Sequence, residues 1–140
     1  MKRSLFIASL MLVLFLPERN HAQVYGHEWI DPAQPYVKLQ LAEDGIYRVT
    51  YEDLQATGFL DNNPNPVHFR LYHRGEEVSI RVAGQNDLSL DPGDFIEFYG
   101  ERNDGTRDRL LYKQDAQPHA YYNLYSDSSA YFLTVDRNAI

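Results

Sequence analysis

Cysteine is absent from the 140 residues. Its absence excludes a disulfide, a thiol nucleophile and an N-terminal lipid-modified cysteine in this chain. The fold must therefore rest on a hydrophobic core or on neighbouring domains. Positive charge is scarce: 13 Lys and Arg stand against 20 Asp and Glu, a formal net charge of −7. That balance argues against nucleic acid or an anionic membrane surface as partner. No long apolar run occurs after Leu16, so the mature chain is expected to have no transmembrane span. Internal repeats and low-complexity segments are also missing.

Catalytic signatures are equally sparse. No serine sits in a Gly-x-Ser-x-Gly elbow, and no glycine-rich phosphate loop is found. The histidines fall at His21, His27, His68, His73 and His119. None forms a His-x-x-x-His pair, so a zinc site has little support. His68 and His73 lie five apart on an expected strand, on opposite faces. Nothing selects a carboxylate pair for glycosidase chemistry. No catalytic, cofactor-binding or metal-ligating residue is assigned, and no cofactor is expected.

What the chain does contain is aromatic and β-forming. Eleven Tyr and seven Phe supply apolar mass, and regular turns favour sheet. Residues 1–22 read as a signal peptide: Lys2 and Arg3, an apolar run Ser4–Leu16, then Pro17 and a cleavage residue at Ala22. Residues 23–34 are an irregular lead-in. Its Trp29 reads as a packing anchor, with ligand stacking as the alternative. Residues 35–140 form the β-rich domain.

Within it, Tyr36–Leu41 alternates, with Val37, Leu39 and Leu41 inward. Ile46–Thr50 returns as a second strand, so a hairpin is expected over residues 36–50. Thr50 and Asp53 suggest a capping box for a short helix at Tyr51–Thr57, stopped by Gly58. Val67–His73 and Glu77–Ala83 suggest a second hairpin around Arg74-Gly75-Glu76. In it Val67, Phe69 and Leu71, then Val78, Ile80 and Val82, face inward. Asp87, Asp91 and Asp94 read as turn-formers; their spacing does not match the twelve-residue calcium loop. Asp91-Pro92-Gly93-Asp94 is a turn into Phe95–Tyr99, the expected central strand, apolar on both faces and covered on both. Glu101–Arg109 reads as a solvated charged loop, Leu110–Tyr112 as a short strand, Tyr121–Tyr125 as an extended aromatic stretch and Tyr131–Val135 as the last strand. The sum is a mainly β, antiparallel sandwich-like domain of about seven short strands with one short helix.

Five stretches carry a family resemblance: Tyr25–Ile30, Leu41–Arg48 (LAEDGIYR), Arg74–Val78, Asp91–Gly100 (DPGDFIEFYG) and Tyr131–Thr134. In this order they resemble the N-terminal region of PorU-like proteins over residues 25–135. These are large Bacteroidetes surface proteins of the type IX secretion system, with a gingipain-type cysteine peptidase domain. The resemblance implies a non-catalytic β domain ahead of the peptidase domain. No position here matches the family's catalytic His or Cys, and the chain is expected to stop, at Ile140, short of that domain. It also implies export through the inner membrane to the periplasm or outer-membrane surface. The implied partners are the downstream peptidase domain or other secretion-system surface proteins. A different class of function is a free-standing surface-binding module, with a glycan bound by exposed Tyr121, Tyr122 and Tyr125.

Overall fold

The alternating apolar residues sort into two antiparallel sheets whose inner faces meet. The computed structural model describes His27 and residues 29–60, 64–113 and 116–136. The signal-peptide reading, and residues 23–26 and 28 of the lead-in, lie outside these residues. The strands are β1 (Tyr36–Leu41), β2 (Gly45–Thr50), β3 (Phe69–His73), β4 (Glu76–Val78), β5 (Arg81–Ala83), β6 (Phe95–Gly100) and β7 (Ser129–Val135). Among the described residues, one α-helix, α1 (Tyr51–Ala56), and three short 3-10 helices join them. One sheet has the order β1-β7-β3-β4 and the other β2-β6-β5. Among the described residues, no helix is long and apolar enough to cross a membrane.

The core is one cluster fed by both sheets. Leu41, Phe69, Leu71, Tyr131 and Leu133 come from the first; Val49, Ile96 and Phe98 come from the second. Leu54 of α1 and Leu90 of the β5–β6 connection seal it. Burying side chains of this size is worth roughly 1.5–3 kcal/mol each, which is how a chain without disulfides is held together. Helix α1 starts as its sequence suggests. The Thr50 hydroxyl accepts from the Asp53 amide at 3.2 Å, and the Asp53 carboxylate accepts from the Thr50 amide at 3.0 Å. That second bond leads in holding the Asp53 carboxyl below its ordinary pKa. Positive φ values at Gly58 and Gly93 fall where the helix stop and the Asp-Pro-Gly-Asp turn require them.

Five expectations are corrected. First, β1 and β2 do not form a hairpin. β1 pairs with β7 and β2 with β6, so residues 42–44 carry the chain from one sheet to the other. Alternation identifies an inward face without saying which sheet presents it. Second, Glu77–Ala83 is split: β4 pairs with β3, and β5 pairs with β6. The inward set Val78, Ile80 and Val82 still packs against the core, because a strand that switches sheets keeps its face toward the interior. Third, Val67 belongs to a 3-10 helix, Pro66–His68, and is exposed. Proline at its first position and the Asn65 cap on the Val67 amide favour that turn.

Fourth, β6 is central in its sheet but covered on one face only. Ile96 and Phe98 are buried, while Tyr99 on the opposite face is 52% exposed. In place of a second layer, Arg48 lies 3.9 Å above the Phe95 ring, and Arg48 and Arg81 both pair with Glu97 at 2.7 and 2.6 Å. Hydrogen bonds from Arg48 and then Arg81 lower the Glu97 pKa. Fifth, Leu110–Tyr112 is not a strand. Residues Gly105–Leu111 form a 3-10 helix that Asp104 caps through the Thr106 amide.

Trp29 of the lead-in is packed as an anchor. Trp29 packs on the outer face of the four-stranded sheet, 5.1 Å from the Tyr72 ring, 5.4 Å from Phe132 and 5.9 Å from Tyr36. At the opposite limit of tight packing, a Cβ on Gly100 would collide with Leu41 and Tyr47, where the ends of the two sheets approach. Gly100→Ala is therefore expected to destabilise the chain by about 1–3 kcal/mol, read from the urea midpoint at unchanged slope.

Candidate interaction surface

The β6–β7 connection is the least economical part of the chain. Residues 101–128, 28 in all, separate two strands that belong to different sheets. Connections beyond about 12–15 residues are uncommon in compact domains and are often functional. This one begins on the core. The Tyr131 hydroxyl accepts from the Glu101 amide at 2.8 Å, and the Ser129 hydroxyl donates to the Glu101 carbonyl. Asp44, in the β1–β2 corner, accepts from the Arg102 amide at 2.8 Å. The side chain of Asn103 donates to the Ser126 carbonyl at 2.8 Å, and its amide donates to the Asp127 carbonyl at 2.9 Å.

The charged stretch is thus an ordered lobe, which corrects its reading as a solvated loop. Its interior is polar. Asp108 is only 4% exposed; it accepts from the Asn123 side chain at 2.8 Å and from the Leu124 amide at 2.7 Å. Gly105 donates to the Ala120 carbonyl at 2.9 Å, and Gln117 donates back to the Gly105 carbonyl at 2.6 Å. Sequence reading missed Asp108, since a buried carboxylate and a solvated one look alike in a run of alternating charge.

Outside this polar interior the lobe is apolar and uncovered. Leu110 is 93% exposed and Tyr125 82%; Leu111, Tyr121, Tyr122 and Leu124 are exposed too. Basic groups, Arg107, Arg109 and Lys113, are interspersed with them and exposed. Tyr121, Tyr122 and Tyr125, named as one platform from sequence, are not equivalent. Arg102 lies 5.1 Å over the Tyr122 ring and donates to the Tyr121 carbonyl at 2.8 Å.

Beside the lobe, the β3–β4 turn closes one end of the sandwich. Arg74 and Gly75 both have positive φ, as the two-residue turns that match strand twist require. The Arg74 guanidinium donates to the Asn103 side chain at 3.2 Å and lies 3.9 Å from Asp104. His73, paired across strands with Tyr131, stacks on that ring at 4.0 Å with 9° between planes. Its Nδ1 lies 3.1 Å from the Ala130 carbonyl, and its buried Nε2 meets no hydrogen-bond partner among the described residues. Burial lowers the His73 pKa, and the neighbouring guanidinium of Arg74 adds to the effect. His68 lies in a 3-10 helix before β3, and His119 packs by Tyr121 and Tyr122. Neither joins His73.

The three aspartates of the β5–β6 connection act as turn-formers. Asp87 accepts from the Ser89 amide at 3.1 Å, Asp94 accepts from the Asp91 amide at 2.8 Å, and Asp91 accepts from the Ser89 hydroxyl at 3.1 Å.

Comparison with protein families, with curated proteins and with solved structures finds no match for the chain.

A lowered His73 pKa has a definite sign. The folded state then binds fewer protons than the unfolded state, so stability rises with pH through the histidine range. Protonation opposes folding once the pH falls below the unfolded value of about 6.5. The melting temperature of the wild type should fall more steeply from about pH 7 to pH 5 than that of His73→Gln. Parallel curves would exclude His73 as the source.

Proposed function

We propose that the chain is a non-catalytic, exported β domain that packs against a partner protein domain at the periplasmic or outer-membrane surface. By its resemblance to PorU-like proteins, that partner is a gingipain-type cysteine peptidase domain, or another surface protein of the type IX secretion system. The observation that carries this reading is the β6–β7 lobe. The buried Asp108 carboxylate ties the Asn123 side chain and the Leu124 amide to the lobe's interior, yet Leu110, Leu111, Leu124 and Tyr125 are exposed. Ordered apolar surface of this kind is characteristic of an interface, and Tyr and Arg are the side chains enriched there. The sequence support is the pair of strings LAEDGIYR and DPGDFIEFYG.

The role assigned to the domain is to cover apolar surface of its partner, or to assist its folding. Cysteine-peptidase or transpeptidase chemistry requires a thiolate, and the chain has no cysteine to supply one.

Calorimetric titration of the chain with a PorU-like peptidase domain from the same organism tests the reading. Saturable binding is expected, with Leu110→Ala and Tyr125→Ala each weakening it about tenfold or more. Both side chains are solvent-exposed, so the variants should keep the wild-type melting temperature. Absence of binding, or binding indifferent to both substitutions, would contradict the proposal.

A further inference from the structure

A second feature lies between the lobe and the three-stranded sheet. A cleft of about 240 Å³ opens there, with Tyr99 and Tyr121 among its lining residues. Both tyrosines are largely exposed. Five of the eight lining residues are charged: Asp44, Glu101 and Asp104 against Arg74 and Arg102. Tyr99 and Glu101 also line a neighbouring cleft of about 340 Å³ beside β4. Two depressions therefore share these two residues.

The chemistry of the lining restricts the ligand. Five charged groups make a poor site for an apolar molecule, which would strip them of water without compensation. A simple anion would meet three carboxylates. A simple cation would meet two guanidiniums. A neutral molecule rich in hydroxyls suits both, since each hydroxyl donates to a carboxylate and accepts from a guanidinium. An exposed aromatic ring adds a flat apolar surface beside the polar groups, which fits the C–H face of a sugar ring.

Arg74, Asp44 and the Glu101 backbone are already positioned. Arg74 is held at the tip of a two-residue turn and fixed by Asn103 and Asp104. Asp44 is held by the Arg102 amide, and Glu101 follows directly on β6, with its amide bonded to the buried Tyr131. Preorganisation of this kind lowers the ordering cost of binding.

We infer that the cleft between Tyr99 and Tyr121 is a binding site for a neutral oligosaccharide, with one sugar ring against Tyr99 and hydroxyls on Glu101 and Arg74. The sharing of Tyr99 and Glu101 by two clefts makes a linear saccharide of two or more units the better ligand than a monosaccharide. This site is separate from the protein-facing side chains Leu110 and Tyr125.

Amide chemical shifts of the isotope-labelled full chain test the site. The probes are linear oligosaccharides of glucose, galactose, mannose and N-acetylglucosamine, with inorganic phosphate and spermine as charged controls. At least one saccharide should shift the Tyr99, Glu101, Arg102 and Tyr121 amides saturably, with Kd on the order of 1 mM or below. Tyr99→Ala and Glu101→Gln should each raise that Kd about tenfold or more, and Tyr99→Phe should leave it nearly unchanged. The folded shift dispersion of each variant reports its integrity independently. No response to any saccharide at about ten times that concentration, shifts confined to other residues, or a tighter response to phosphate or spermine would overturn the assignment.

Discussion

Tyr131 ties the two sheets and the β6–β7 connection together. It sits at the centre of the four-stranded sheet, 2% exposed, with its ring 5.5 Å from Phe98 of the opposite sheet. The same ring supports His73 at the end of β3, and its hydroxyl receives the Glu101 amide where β6 runs out. One side chain therefore joins the two layers, the β3–β4 turn and the start of the lobe. The hydroxyl explains why tyrosine stands here: phenylalanine would fill the same space and leave the Glu101 amide to find another partner. Burial raises the Tyr131 pKa, and the hydrogen bond from the Glu101 backbone opposes that shift.

From this anchor the lobe follows. A 28-residue connection could lose a large amount of backbone entropy on ordering, roughly 1–2 kcal/mol per residue. It is offset by a network that begins at Tyr131 and continues through Asn103, Gly105 and Asp108 to Ser126 and Asp127. Because the network is polar and turned inward, the apolar side chains of the 3-10 helix are left outside. The result is an inversion of the usual arrangement: carboxylate in, leucine out. A covering partner of the kind proposed above would resolve that inversion.

Local features of the fold were legible in the sequence where one interaction decides them. The Thr50–Asp53 capping box, the Arg74-Gly75 turn and the inward faces of β1, β3 and β7 each depend on neighbours within a few residues or on strict alternation. Features that depend on distant partners were not legible. Leu41 and Val49 both point inward, but only the arrival of β7 beside β1 and of β6 beside β2 separates them into different sheets. The outward face of β6 looked apolar because Phe95 and Tyr99 are aromatic; Arg48 and Arg81 settle over that face only after the strands have paired. At the candidate site, the exposed tyrosines were visible in the chain. Asp108 and the cleft were not, since both require residues 15 or more positions apart to meet.

The lobe is held in order in the free chain by its anchor on Tyr131 and by the buried Asp108 carboxylate. Amide hydrogen exchange resolved by residue tests it most directly. The amides of Glu101, Asn103, Gly105 and Leu124, each a donor within the network, should be protected well above unstructured rates. Tyr131→Phe should speed exchange at Glu101 while leaving Val49 and Ile96 protected. Uniformly fast exchange across residues 101–128, beside a protected core, would contradict the claim.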